Sequence, residues 1–393
     1  MNAPSDIDLR PDYDGGSIVN LMATLMASLG GHADGYLPLA AARLDGLAEA
    51  RTVVLVVVDG LGDLWLDRLG RGGPISAHRR ASLTSVFPST TASAVTTFFT
   101  GLAPAQHALT GWHVYLRELG GIAAILPLTA RPGGQPVLAA GADLRAFFRH
   151  EPVFDRIAAA STIVLPKWIA DSQFTVAHAG RARRVGYHGV EEMFGAIASV
   201  ARAGRGRRFV YAYYADIDAL AHAHGMASDA VREDFGRLER AWEKFLAGIA
   251  GTGTAVVLTA DHGFIDTTRE SVVDLADLPG LADTLVLPLC GEPRAAYCYV
   301  KAGREAEFEH HVATELAGRA TAYRSADLVA EGLFGPGLPD RRLAGRIGDY
   351  VLVMRGNHAI RDQLLGEHRH PQIGVHGGAT PDEMLVPLVV AHA

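Results

Sequence analysis

Three short apolar runs, each closed by an acidic residue, constrain this chain more than anything else in it. Thr52-Val53-Val54-Leu55-Val56-Val57-Val58 runs into Asp59-Gly60. The segment from Arg208 to Ala215 runs into Asp216-Ile217-Asp218, and that from Thr254 to Ala260 runs into Asp261-His262-Gly263. Runs rich in β-branched or aromatic residues and bounded by turn formers predict strands buried on both faces.

Between them the apolar spacing changes to that of helices. Val190 to Ala203 reads as one helix. Ala230 to Ile249 reads as a longer one, with Phe235, Leu238, Trp242 and Phe245 on one face and charges on the other. Strands alternating with helices predict an α/β fold: a doubly wound, mostly parallel central sheet with helices on both faces. Ligands of open parallel sheets sit outside the carboxyl ends of the strands, which puts Asp59, Asp218 and Asp261 on one rim. From about residue 266 to 372 the texture differs, with a strand at Ala295 to Val300, a helix at Glu305 to Leu316 and a loop at Gly332 to Gly337. The expectation is a metal-binding catalytic core from 1–265 and 373–393, with 266–372 inserted as a smaller α+β cap. Met384 to Ala391 supplies the last core strand.

Composition narrows the functional classes. Hydrophobic residues make up 49% and charged residues 20% of the 393, the profile of a globular domain. A net charge of -7 argues against binding a nucleic-acid polymer, although metal ions can still supply local positive charge for phosphate chemistry. The two cysteines, Cys290 and Cys298, provide no disulfide framework and read as buried apolar residues on facing strands. The start, MNAPSDIDLRPDYDGG, has neither a basic segment nor an apolar run, and no stretch approaches the ~20 apolar residues of a membrane span. These features imply a cytoplasmic protein without a membrane partner; oligomeric state is not legible.

The chemistry-bearing residues gather at the predicted strand ends. Asp218 and His222 are four apart, so a helix beginning there would aim both from one face at a single ion. Asp261-His262-Gly263 can aim both side chains inward if the glycine makes the turn, and His376-Gly377-Gly378 supplies a third imidazole. Each piece alone fits a plain turn or a helix cap. Together, three carboxylates and three imidazoles give three ligands to each of two divalent ions, with Zn²⁺ favoured and Mn²⁺ the alternative. Two ions ~4 Å apart can clamp the attacking and leaving oxygens of an in-line displacement. In Phe87-Pro88-Ser89-Thr90-Thr91 and on to Gly101, hydroxyl residues open a predicted helix, where backbone N–H groups and the dipole favour a phosphoryl oxygen.

This set resembles the alkaline phosphatase superfamily, and its nucleotide pyrophosphatase/phosphodiesterase branch most of all. The shared order is a strand ending in Asp59, then Thr91 ahead of Thr100-Gly101-Leu102-Ala103-Pro104-Ala105-Gln106-His107, then Asp218/His222, Asp261-His262 and His376. The resemblance implies one metal held by Asp218, His222 and His376. A second would be held by Asp59, Asp261 and His262, with Thr91 bridging to it as nucleophile. It further implies hydrolysis of phosphodiester or pyrophosphate bonds in a small phosphorylated substrate, through a phospho-threonine intermediate. Phosphomonoesterase, phosphonate hydrolase, phosphosugar mutase and silent phospho-ligand binder are the alternatives on the same core. One departure is plain: the family's Thr-Phe-Pro-Asn is here Thr91-Ala92-Ser93-Ala94, without the Asn that contacts the phosphoryl oxygen.

Other polar residues read as structural. Arg202, Arg205, Arg207 and Arg208 form a helix-end loop, and His368 and His370 flank the loop bearing His376. His107, His113 and His224 are near the proposed site in sequence only, whereas Lys167-Trp168 follows the apolar run Thr162 to Leu165, a position from which it could approach a leaving group.

Overall fold

The computed structural model describes residues 7–393 apart from 34, 41–43, 132, 142–146, 204–205 and 368–371. Arg205, His368 and His370 therefore lie outside the described residues.

The three acid-tipped runs are adjacent strands at the centre of a seven-stranded sheet. In spatial order its strands are Arg79–Thr84, Leu385–His392, Thr254–Thr259, Thr52–Val58, Arg208–Tyr214, Ala160–Pro166 and Arg183–Tyr187. All are parallel except Leu385–His392, which runs against both neighbours. Every residue of Thr52–Val58 is buried, as its unbroken apolar run requires of a central strand. Val58 pairs with Tyr214 and Val57 with Thr259, so the three strands end at one level and their acids share one rim.

Helices cover both faces. Thr91–Thr100 lays Phe98 and Phe99 on Tyr211 of the sheet, with ring centroids 6.3 and 5.1 Å apart. Asp229–Gly248 starts at Ser228, whose hydroxyl accepts the Val231 N–H, and buries Phe235, Leu238, Trp242 and Phe245 as the spacing predicts. Phe245 stacks on Phe194 of the helix Val190–Arg202 at 4.8 Å.

A second, antiparallel sheet of seven strands carries the smaller layer. Four strands come from 290–354: Ala320–Arg324, Tyr350–Met354, Ala295–Cys298 and Cys290–Glu292. Three come from 113–131: His113–Leu116, Gly121–Ala124 and Thr129–Arg131. Cys290 and Cys298 lie on neighbouring strands of it, both buried and free. The chain returns to the core through Gly374–Val375, which pairs antiparallel with Ile265–Asp266. That short ribbon carries His376 back beside His262, more than a hundred residues earlier in the chain.

Candidate active site

The seven residues singled out from the sequence converge on the rim. Asp59, Asp261 and His262 form one cluster, and Asp218, His222 and His376 a second; within each, three ligand atoms lie within 4.8 Å of one another. His262 Nε2 is 3.4 Å from Asp59 Oδ1 and 3.7 Å from Asp261 Oδ2. In the second cluster Asp218 Oδ1 is 3.5 Å from His222 Nε2 and 3.8 Å from His376 Nε2. Bonds of about 2.0–2.1 Å in a tetrahedral site imply ligand spacings of about 3.3 Å, so each triad needs only a small contraction around an ion. The clusters abut: the His262 and His376 rings stack at 3.7 Å.

The surrounding backbone fixes which atom each residue offers. All three imidazoles turn Nδ1 to a carbonyl, His222 to Gly374 at 2.8 Å, His262 to Gly263 at 3.0 Å and His376 to Ser89 at 3.3 Å. Nε2 is thereby left facing inward, the arrangement by which outer contacts orient metal-ligating histidines. Asp261 Oδ1 accepts the N–H groups of Gly60 and His262 at 3.1 and 3.0 Å, and Asp59 Oδ2 accepts the Tyr213 hydroxyl. The remaining oxygens, Asp59 Oδ1, Asp218 Oδ1 and Asp261 Oδ2, are buried and accept no hydrogen bond from the described residues. Buried carboxylate oxygens without partners are costly, and three in two clusters are the signature of cation sites. Burial first, then the Asp218 and Asp261 charges, pushes the Asp59 carboxyl well up; burial likewise raises Asp218. Burial beside His262 and His222 pushes His376 well down, which keeps it neutral and able to bind an ion.

Glycines allow these turns at two points. A Cβ on Gly263 would lie 2.0 Å from the Asp382 carbonyl, and Gly377 has φ +107 with its notional Cβ 2.6 Å from Glu292 Cβ.

Thr91 is the first residue of its helix, and its hydroxyl is 3.1 Å from His262 Nε2. Thr90, the residue before it, donates its hydroxyl to Glu292 at 2.6 Å and is buried. Of the adjacent threonines, then, Thr91 faces the clusters. No side chain caps the helix, which leaves its first N–H groups open toward the clusters.

Two cavities open from Thr91. One, of about 370 Å³, is mainly apolar and lies among Val95, Phe99, Leu126, Trp168, Phe174 and Tyr211. The other, of about 400 Å³, is more polar and includes His113, Glu292, Gln372 and the second triad. Trp168 thus belongs to the site's margin, whereas Lys167 pairs loosely with Asp171 at 3.8 Å. His113 lines the polar cavity, and burial beside Arg131 pushes it down to about 3. His107 is a buried residue 3.4 Å from Thr97 and His224 an exposed one at a helix end. Arg202 and Arg207 donate to the carbonyls of Gly248 and Leu47, as a loop-tying role requires.

Sequence reasoning missed three contributors. Tyr213 is indistinguishable in a buried aromatic run from its neighbours. Phe264, within 5.0–5.6 Å of the His222, His262 and His376 rings, had only its position after Asp-His-Gly to mark it. Glu292 comes from the second sheet and carries no local motif. Burial pushes it up to about 7, against the Thr90 and Trp112 hydrogen bonds.

Paired Asp/His clusters beside a helix-start threonine, on the carboxyl rim of a parallel sheet, are the framework of an alkaline phosphatase-superfamily hydrolase. Within that superfamily, the chain belongs to the Type I phosphodiesterase / nucleotide pyrophosphatase family, whose model matches residues 53–379. Its fold is similar to that of murine ectonucleotide pyrophosphatase/phosphodiesterase 5, at TM-score 0.64 and 16% identity over 86% of this chain and 87% of that one. It is similar also to phosphonoacetate hydrolase from Sinorhizobium meliloti 1021 in complex with phosphonoformate, at TM-score 0.63 and 19% identity over 87% and 90%. No functionally curated protein matches significantly. No helix among the described residues is long and apolar enough to cross a membrane.

Proposed function

We propose that this protein hydrolyses phosphodiester or pyrophosphate bonds of small substrates through a phospho-threonine intermediate on Thr91. The observation that carries the reading is the Thr91 hydroxyl 3.1 Å from His262 Nε2, beside two triads with unpartnered buried carboxylate oxygens. Asp218, His222 and His376 would hold one divalent ion, and Asp59, Asp261 and His262 the other. Mixed carboxylate and imidazole ligands favour zinc, with manganese next. When bound, such ions supply Lewis-acid stabilisation of phosphoryl oxygens and favour the ionised threonine hydroxyl.

The chain's own groups account for the rest. Thr91 Oγ1 attacks phosphorus, the ester oxygen leaves in line, and water then cleaves the threonine ester. The open N–H groups at the start of Thr91–Thr100 hold a non-bridging oxygen. Tyr213 and the Gly60 and His262 N–H groups keep Asp59 and Asp261 aimed. The apolar cavity receives the organic part of the ester and excludes water from it. Two named relatives support the reading. A threonine-to-alanine variant of murine ectonucleotide pyrophosphatase/phosphodiesterase 5 is described as inactive and in complex with AMP. The Sinorhizobium enzyme is described in complex with phosphonoacetate.

The test is to measure bound metal and turnover of a chromogenic phosphodiester across zinc, manganese and magnesium. Hydrolysis that rises with bound metal and vanishes in Thr91→Ala supports the proposal. A protein that binds no divalent ion, or hydrolyses the ester equally well without Thr91, refutes it.

A further inference from the structure

Glu292 is a buried carboxylate whose charge the fold does not explain. It ends the strand Cys290–Glu292 and lines the polar cavity together with Thr91, Asp218, His222 and His376. Its hydrogen bonds both reach Oε1, from the Thr90 hydroxyl and the Trp112 N–H, each at 2.6 Å. Both donors are neutral, and among the described residues no lysine or arginine pairs with it. A glutamine would accept the same two bonds without the cost of burying a charge. Nor can the side chain swing aside. Thr90 and Trp112 tie it from one direction, and the loop after His376 presses on it so closely that only a glycine fits at 377.

We propose that Glu292 sets the substrate class, selecting monoanionic phosphodiesters over dianionic phosphomonoesters. The inference rests on the phosphoester reading above. A monoester bound at Thr91 carries one more negative charge than a diester, because the second phosphate ionisation lies near pH 6. A fixed carboxylate across the cavity repels that additional charge, while the diester's second organic group is uncharged and meets no such penalty. Divalent ions in the two triads would attract both esters, so a group of opposite sign is what can discriminate them by charge, and Glu292 is the acid in this cavity that lies outside either triad.

The experiment compares kcat/KM of the metal-loaded protein for matched aryl phosphodiester and phosphomonoester substrates. It is run at about pH 8.5, where the monoester is fully a dianion. Glu292→Gln keeps the side chain's size and its acceptor for Thr90 and Trp112. It is expected to raise the monoester-to-diester ratio by about 10- to 100-fold, the range for removing one unit charge at an intermediate dielectric. The inhibition constant of inorganic phosphate, a dianion at that pH, falls by a similar factor. Glu292→Asp, which keeps the charge, retains the diester preference. If the wild-type protein hydrolyses both esters and the Gln variant leaves their ratio within about twofold, the Glu292 assignment is overturned and the phosphoester reading survives. If the wild-type protein hydrolyses neither ester, the phosphoester reading falls and the Glu292 assignment with it.

Discussion

Replacing Arg294 with methionine should unsettle the site from outside it. Arg294 occupies the turn between strands Cys290–Glu292 and Ala295–Cys298, and its guanidinium is wholly buried against Glu383. Nε reaches Oε1 at 3.0 Å and Nη2 reaches Oε2 at 2.8 Å, while Nη1 donates to the His358 carbonyl. Glu383 also accepts the Gly378 N–H at 2.8 Å and the Thr380 hydroxyl at 2.7 Å, so one carboxylate ties the second sheet to the backbone just past His376. Burial pushes the Glu383 carboxyl up, but Arg294 and these donors outweigh it and hold the group below the usual range. Arg294→Met leaves that anion buried without a countercharge. Breaking one partner of a buried pair costs about 3–5 kcal/mol, a large part of the roughly 5–15 kcal/mol that holds a typical protein folded. Removing both charges with Arg294→Met/Glu383→Leu abolishes the uncompensated anion yet orphans the Gly378 N–H, so only part of the loss returns. Equilibrium urea unfolding of the three proteins, with zinc competition against a chromophoric chelator, reads both effects. The single variant should lose the stated stability and bind one zinc, that of the Asp218, His222 and His376 triad, more weakly. A single variant within about 1 kcal/mol of wild type, with both zinc affinities intact, would refute the latch.

Three further outcomes are expected. Thr91→Ala should lower kcat for a phosphodiester by about 10³-fold or more while its zinc affinity falls far less; comparable losses in both would mean that Thr91 serves as a ligand rather than a nucleophile. Tyr213→Phe removes the hydroxyl that Asp59 accepts and should weaken one zinc by about 10- to 100-fold in chelator competition, with the other unchanged. His178, buried among Phe99, Phe148 and Phe174, is pushed down to about 4, chiefly by burial. The unfolded chain binds its proton below the ordinary value of 6.5, whereas the folded chain does not until about 4. Stability from this group is therefore complete above that ordinary value and lost as pH falls toward the folded one. His178→Phe should reduce the acid sensitivity of urea unfolding across that window by about 3 kcal/mol, and an unchanged pH profile would refute the assignment.

The sequence disclosed the parts of this architecture that are local or strictly periodic. Thr52–Val58 and Arg208–Tyr214 are buried on both faces, so their apolar runs are unbroken and their ends sharp. Asp218 and His222 were readable as a pair because one helical turn brings them together. Resemblance alone singles out Thr91 in the run Ser89-Thr90-Thr91, and what distinguishes the two threonines in space is distant in sequence: Glu292 occupies the Thr90 hydroxyl, while that of Thr91 faces His262. What stayed hidden depends on partners far along the chain. The strands His113–Leu116, Gly121–Ala124 and Thr129–Arg131 are three or four residues long, too short to show a period; they pair with one another, and the link that joins them to the larger sheet, His113 to Gly291, connects residues far apart in the chain. Glu292 and Arg294 lie beside a tight turn of that sheet, where nothing in Gly291-Glu292-Pro293-Arg294 distinguishes a cavity wall and a buried latch from an ordinary charged loop.

Anomalous diffraction from crystals grown with zinc and vanadate would test the paired-ion, threonine-nucleophile account most directly. The account predicts two zinc peaks, one within bonding distance of Asp218, His222 and His376 and one of Asp59, Asp261 and His262, with vanadium bonded to Thr91 Oγ1. Zinc elsewhere, or vanadate bound away from Thr91 while both triads are filled, would contradict it.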